Sequence, residues 1–187
     1  MWASMACVGA TSKCVDSVRG RRRRAALGSA VFFVVAPGVV GGLIPWLLTG
    51  WRVQRPLPYW TPLRLVGAIL LVAGAVVLVR AFVQFVKEGI GTPAPVAPTE
   101  RLVVSGLYRY VRNPMYLAVL ATIVGQALLL GQPGLLLYAA IVALAFVVFV
   151  AAYEEPTLRA QYGVEYDAYR RQVPAWWPRW REISREP

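Results

Sequence analysis

The chain has 187 residues, a length that excludes a large multidomain protein, and 58% of them are hydrophobic while 16% are charged. Its mean hydropathy is +0.53, it carries 20 lysines and arginines against 9 acidic residues for a net charge of +11, and it has no histidine. Soluble domains are about 45–50% apolar and about 25% charged, so the composition favours a membrane protein, and the lack of histidine excludes a histidine-based triad, metal site or general base.

Residues 1–24 form a basic tail that ends in four consecutive arginines. The tail is predicted to be disordered, and residues 25–187 are predicted to form one membrane domain. Cys7 and Cys14 lie in the tail, and two cysteines without histidine partners do not form a structural zinc site, so no metal is expected. The apolar stretch after the arginines is longer than the about 7–15 residues of a cleavable secretory signal, which favours a retained signal anchor.

Three apolar runs follow the tail. Residues 25–50 carry no charge, residues 65–86 are interrupted only by Arg80, and residues 113–153 are again uncharged. As one helix the last run would extend about 60 Å, about twice the hydrocarbon thickness of a bilayer. It is therefore predicted to fold back at the Gly-Gln-Pro-Gly turn at 131–134. These runs predict an all-α integral membrane protein with four spans, or five if Pro37 and Pro45 split the first run.

The distribution of basic residues predicts the orientation of the spans. With the amino terminus inside, sixteen lysines and arginines lie on the cytoplasmic side and three on the outer side. Cytoplasmic loops carry such an excess of positive charge, so both termini are predicted to be cytoplasmic. Arg80 either snorkels to the cytoplasmic surface or faces a pocket between helices.

Polar residues are concentrated in two blocks, 91–116 and 153–174, which flank the predicted hairpin. Asn113 is predicted to cap the third span, with Pro114 as its first helical residue. Because the blocks flank one hairpin, Asn113 and Glu154 are expected at the same membrane surface. From the residues alone, Glu154 and Glu155 can also mark a helix that leaves the bilayer. The arginines and tyrosines of the first block can equally be interfacial anchors.

The spacing within these blocks is distinctive. The first contains Gly106, Tyr108, Arg112, Asn113, Pro114 and Tyr116, and the second contains Glu154, Glu155, Leu158, Tyr162, Gly163, Tyr166, Tyr169, Val173 and Pro174. This order and spacing, spread over residues 91–178, resembles the isoprenylcysteine carboxyl methyltransferase family and its relatives, the membrane phospholipid methyltransferases.

The resemblance implies a methyltransferase that binds S-adenosylmethionine at the cytoplasmic mouth of the last hairpin. It implies a catalytic role for Arg112 and Glu155. It implies cofactor-binding roles for Leu102, Val103, Tyr108, Asn113, Pro114, Met115, Tyr116 and Glu154. The chemistry is compatible, because a carboxylate and aromatic faces favour a cationic ligand and an arginine favours its carboxylate. In-line methyl transfer needs positioning and desolvation rather than a histidine or a metal.

Two positions depart from the prenylcysteine enzymes. Asn113 stands where they carry histidine, and Val150 stands where they carry an arginine that meets the substrate carboxylate. The acceptor is therefore predicted to be lipophilic but not a prenylcysteine carboxylate, and its reactive group (amine, thiol, carboxylate or hydroxyl) stays open, as does the oligomeric state.

The carboxyl-terminal segment is predicted to form a cytoplasmic amphipathic helix. Arg170 and Arg171 are expected to meet anionic lipid headgroups, and Trp176, Trp177 and Trp180 are expected to anchor the segment at the membrane interface. The expected partners are thus membrane lipids and a lipophilic acceptor, and no nucleic acid. Two other functions stay open: an NADPH-dependent reductase of the sterol type, and a non-catalytic membrane subunit or small transporter.

Overall fold

The structure is a computed structural model that describes residues 35–54, 60–88, 102 and 104–179, with the backbone alone at 85–88. The predicted tail, its boundary at residue 25 and both cysteines lie outside these residues. Helix α1 covers Val35–Thr49 and α2 covers Thr61–Glu88. A 3-10 turn at Gly106–Arg109 precedes α3, Pro114–Leu130. Helix α4, Gly134–Phe149, runs through a π-helical turn at Val150–Glu154 into α5, Glu155–Tyr162, and α6 covers Val164–Gln172. The described part of the chain is helical and contains no strand.

The number of helices able to span a membrane is smaller than predicted. Two described helices are both long and apolar enough, Thr61–Gln84 with 24 residues and Gly134–Tyr162 with 29, rather than four or five. The long apolar run divides unequally, because Gly131 ends α3 with a left-handed φ of 69° whereas the following helix continues past Glu154. The 17 residues of α3 therefore extend about 25 Å, less than the about 30 Å of a hydrocarbon core.

The prolines of the first run do not split α1 within its described residues. Pro45 has no N–H to donate to the Gly41 carbonyl, and the helix widens into a π-turn at Val39–Leu43, in which the Ile44 N–H donates to Val39 O instead of Val40 O. Neighbouring helices supply the missing donors: Gln126 Nε2 donates to Gly41 O at 2.6 Å and the Tyr138 hydroxyl donates to Val40 O at 2.9 Å. In an apolar surrounding such freed carbonyls need a partner, so these two bonds hold α1 against the hairpin.

Helices α2 and α3 pack backbone against backbone. A Cβ added to Gly125 would lie 2.7 Å from Leu71 N, and one added to Gly74 would lie 2.9 Å from Ala118 O. Only glycine permits this approach, as in other closely packed membrane helices. The close contact fixes the position of α3 against α2.

The predicted turn at 131–134 is confirmed, because α3 ends at Gly131 and α4 starts at Gly134. The two helices form an antiparallel hairpin, which returns Glu154 to the end where α3 starts. Large apolar side chains are exposed along α2 and α4, as expected for surfaces that face lipid. Arg80 is also exposed, which favours the snorkelling alternative over a place in a pocket.

Candidate active site at the hairpin mouth

The start of α3 and the end of α4 meet at one end of the hairpin, and there the two polar blocks contact each other directly. Arg112 binds Glu155, and Tyr116 binds Glu154, across 43 and 38 residues of sequence respectively. This juxtaposition follows from the turn at 131–134 and from Pro114, which starts α3 at a defined residue. We call this region, from Arg112 to Tyr116 and from Glu154 to Glu155, the hairpin mouth.

Arg112 connects the start of α3 to both α5 and α6. Its Nη1 lies 2.7 Å from Glu155 Oε1 and 3.2 Å from the Tyr166 hydroxyl of α6. The side chains of Arg112 and Glu155 are 11% and 17% exposed, so this ion pair is largely shielded from water. A second arginine, Arg170, reaches the other Glu155 oxygen at 3.3 Å. Charge-assisted bonds of this kind strengthen when water is excluded, so they fix α6 against the hairpin.

Glu154 lies in an aromatic surrounding. The Tyr116 hydroxyl donates to its Oε2 at 2.9 Å. The Tyr116 ring packs on Phe146, with centroids 4.6 Å apart, and on Trp176 at 6.4 Å. A carboxylate bound to an aromatic side chain attracts a cation by its charge, and the faces of the neighbouring rings add to the attraction by their quadrupoles. Trp176 thus contacts the hairpin mouth through Tyr116, although the sequence predicted it as a membrane anchor.

Asn113 takes the predicted place but not the predicted bond. It precedes α3 at the N-cap position, yet its side chain makes no capping hydrogen bond. Its Nδ2 instead donates to the carbonyl of Ala175 at 3.2 Å, and the residue is only 6% exposed. Pro114, the first residue of α3, leaves one fewer backbone N–H to satisfy, so the amide can bind elsewhere. Met115 follows it on the first turn and is half-buried.

The segment after α6 closes over the start of α3. The Arg112 backbone N–H donates to Pro174 O at 3.0 Å, and that of Arg179 donates to Tyr110 O at 2.9 Å. With the bond from Asn113 to Ala175, three hydrogen bonds therefore clamp residues 174–179 to residues 110–113. Their acceptors are backbone carbonyls, which leave no signature in a sequence.

Tyr108 and Leu102 lie one layer behind the hairpin mouth. The Tyr169 hydroxyl donates to Tyr108 O at 2.7 Å, and Leu102 packs on the buried cluster of Tyr166, Tyr169 and Val173. Burial raises the pKa of the Tyr108 hydroxyl well above its usual range, and the negative charge of Glu154 adds to this shift. Burial likewise raises the pKa of Tyr169 against the opposing effect of Arg112. Both hydroxyls therefore stay protonated at neutral pH. Val103 lies outside the described residues.

One residue of this region was missed by the sequence analysis. Gln84, near the end of α2, donates from Nε2 to Ser105 Oγ at 2.7 Å and accepts from the Leu107 N–H at 3.3 Å. Gly106 adopts a left-handed φ of 54°, and a Cβ there would overlap the Gln84 amide. The sequence feature that could have identified Gln84 is that it is a single glutamine within an apolar run.

Of the predicted site residues, Arg112, Tyr116, Glu154 and Glu155 meet directly, and residues 113–115 connect two of them along the chain. Arg112 Nε is buried and has no partner in the part of the chain that the structure describes. The same residues contain no group of three or more side chains able to hold a metal ion.

A family model described as phospholipid methyltransferase matches residues 63–165, which is more than half of the chain. The matched segment begins in α2, contains the whole hairpin and ends in α6, so it includes the entire hairpin mouth. No curated protein and no solved structure matches the chain.

Proposed function

Because the chain belongs to the phospholipid methyltransferase family, which confirms the resemblance seen in its sequence, we propose that it methylates a lipophilic acceptor with S-adenosylmethionine bound at the hairpin mouth. The family consists of methyltransferases that generally use this cofactor. The observation that carries the proposed location is the paired contact of Tyr116 with Glu154 and of Arg112 with Glu155. Family membership also favours methyl transfer over the reductase and transporter alternatives.

The donor set at the hairpin mouth fits the cofactor's charges. S-adenosylmethionine supplies an electrophilic methyl group on a sulfonium, next to an ammonium and a carboxylate. Glu154 accepts a hydrogen bond from Tyr116, whose ring packs on Trp176, and this carboxylate suits the cationic centres. Arg112 suits the carboxylate, because its buried Nε lacks a partner among the described residues. A buried donor without a hydrogen bond costs free energy, so a ligand that accepts one would be bound more tightly.

The remaining predicted residues have supporting roles in this proposal. Glu155 is held by Arg112 and Arg170 together, so it positions the Arg112 guanidinium and does not need to touch a reactant. Asn113, Pro114 and Met115 lie between Arg112 and Tyr116 at the start of α3 and would line the cofactor site. Tyr108 and Leu102 support this region indirectly, because both contact side chains of α6. The chain's contribution to the rate is orientation and exclusion of water, for which the shielded ion pair and the aromatic surrounding are suited.

A binding titration tests this proposal independently of turnover. We expect the purified full-length protein in detergent to bind S-adenosylmethionine, and its demethylated product, in calorimetry with excess chelator present. Absence of binding by a protein that unfolds cooperatively on heating would overturn the proposal.

The acceptor is proposed to be lipophilic but not a prenylcysteine carboxylate. Val150 lies one turn before Glu154, and it is buried, with 4% exposure. A hydrocarbon side chain offers no partner for a substrate carboxylate, and an unpaired charge in this shielded place would be costly. Phe149 and Tyr153 stack with centroids 5.4 Å apart and are exposed beside the hairpin mouth, where an acceptor could approach from the bilayer. A methylation assay that offers native lipid together with a prenylcysteine analogue distinguishes the two classes of acceptor.

We propose further that the hairpin mouth faces the cytoplasm, as the sixteen basic residues on that side favour. Cysteine labelling tests this orientation. In a Cys7→Ser, Cys14→Ser background, Gly134→Cys should react with an impermeant maleimide added outside intact cells, since no described side chain approaches within 4 Å of its Cβ position. The two native cysteines, in the otherwise unchanged chain, serve as the control and should react only after permeabilisation. Labelling of Gly134→Cys only after permeabilisation would place the turn inside the cell and contradict the proposed orientation.

A further inference from the structure

An open groove of about 300 Å³ lies at the segment that closes over the start of α3. It is lined by the end of α6 and by residues 174–179. Three arginines contribute to it, Arg170, Arg171 and Arg179, and the lining contains no acidic residue. Trp177, also in the lining, is 81% exposed. We call this the arginine–tryptophan groove.

We propose that the arginine–tryptophan groove binds the phosphate of an anionic phospholipid of the membrane, as a site separate from the methyl acceptor. The charge of the lining carries the argument, because several guanidinium groups around one concave surface match a phosphate by charge and by geometry. An exposed tryptophan beside them is suited to the level of the lipid headgroups, where aromatic side chains concentrate. A lipid also explains why so large an apolar ring is exposed at this place.

Two contacts connect the groove to the hairpin mouth. Arg170 lines the groove and reaches Glu155, the residue that holds Arg112. Pro174 also lines the groove, and its carbonyl accepts the Arg112 backbone N–H. Arg179 Nη1 donates to Gln172 O at 3.2 Å, which joins the two walls. A lipid bound in the groove would therefore stabilise the segment that holds the start of α3 in place.

Binding of short-chain lipids to the full-length protein in detergent tests this proposal, with native mass spectrometry as the readout. The probes are dihexanoyl phosphatidylglycerol, dihexanoyl phosphatidylcholine and inorganic phosphate. Each basic residue at a membrane surface strengthens the binding of anionic lipid by about fivefold. The Arg171→Gln, Arg179→Gln double variant should therefore bind phosphatidylglycerol about 30-fold more weakly. Phosphatidylcholine should bind much more weakly than phosphatidylglycerol, and inorganic phosphate should not displace the lipid.

A matched control separates a site from a general effect of net charge. The Arg52→Gln, Arg80→Gln double variant removes the same charge from exposed positions outside the groove lining, and it should bind phosphatidylglycerol as the unchanged protein does. Trp177→Ala, at a surface position that cannot disturb the core, should weaken binding severalfold. Equal losses in both double variants, equal binding of the two lipids, or displacement by inorganic phosphate would each overturn the proposal. The same variants are also titrated with S-adenosylmethionine. A failure of the lipid proposal then appears in lipid binding alone, whereas a failure of the proposed function appears in cofactor binding.

Discussion

Replacement of Glu154 by glutamine should weaken the binding of S-adenosylmethionine by about 10- to 150-fold. The carboxylate is bound by Tyr116, whose ring packs on Phe146 and Trp176, and a cationic ligand there would be partly removed from water. A hydrogen bond to a charged group contributes about 1.5–3 kcal/mol in such a place, which corresponds to this range of affinity. The substitution keeps the shape of the side chain, and its amide oxygen can still accept from the Tyr116 hydroxyl. Calorimetric titration of the purified variant measures the loss.

Two variants accompany this measurement. Glu165→Gln removes the same charge from an exposed position on α6, and it should leave the affinity unchanged. Tyr116→Phe removes the hydroxyl that binds Glu154 but keeps the aromatic ring, so its affinity should fall less than that of Glu154→Gln. If Glu154→Gln binds as tightly as the unchanged protein, Glu154 has no role in holding the cofactor.

The second large effect concerns stability. Arg112→Met should lower the free energy of unfolding by about 3–5 kcal/mol, because it leaves Glu155 shielded from water without its principal partner. Arg159→Met is the matched control, since it breaks an ion pair with Asp167 whose side chains are 56% and 35% exposed. Exposed pairs contribute about 0–1 kcal/mol, so this variant should unfold almost as the unchanged protein does. Chemical denaturation in detergent, followed by circular dichroism, compares the two.

A double variant then separates stability from binding. Arg112→Met, Glu155→Met removes both charges, and replacement of a buried pair by apolar residues is often neutral, so much of the lost stability should return. Binding of S-adenosylmethionine should not return with it, because the guanidinium proposed to hold its carboxylate is gone. Recovery of full affinity in the double variant would exclude Arg112 from the binding site.

The parts of the fold that follow from short-range signals were predictable. The turn at 131–134 combines proline and glycine, and Pro114 starts a helix, so the hairpin and the meeting of its two ends could be derived. The sequence thus predicted that the two polar blocks meet, whereas the particular pairs, Arg112 with Glu155 and Tyr116 with Glu154, come from the structure. The family resemblance added the roles, which the residue types alone left open.

The parts that depend on backbone groups were not predictable. The partner of Asn113 is the carbonyl of Ala175, 62 residues away, and the acceptors that bind Gln126 and Tyr138 are carbonyls of the π-turn in α1. Among the described residues two helices are long and apolar enough to span a membrane, fewer than predicted. The uncharged run at 113–153 indicates the turn but not how unequal in length the helices on its two sides are. The helix from Gly134 continues past Glu154 to Tyr162, whereas α3 stops after 17 residues.

Transfer of a labelled methyl group tests the central claim most directly. The full-length protein in vesicles of native membrane lipid is given methyl-tritiated S-adenosylmethionine together with a prenylcysteine analogue, and the two acceptors are separated and counted. We expect tritium in the lipid fraction and none above background in the analogue. At cofactor concentrations below the dissociation constant of the unchanged protein, Glu154→Gln should label the lipid about 10- to 150-fold less. Label in the analogue alone, or in neither acceptor from a protein that binds the cofactor, would contradict the account.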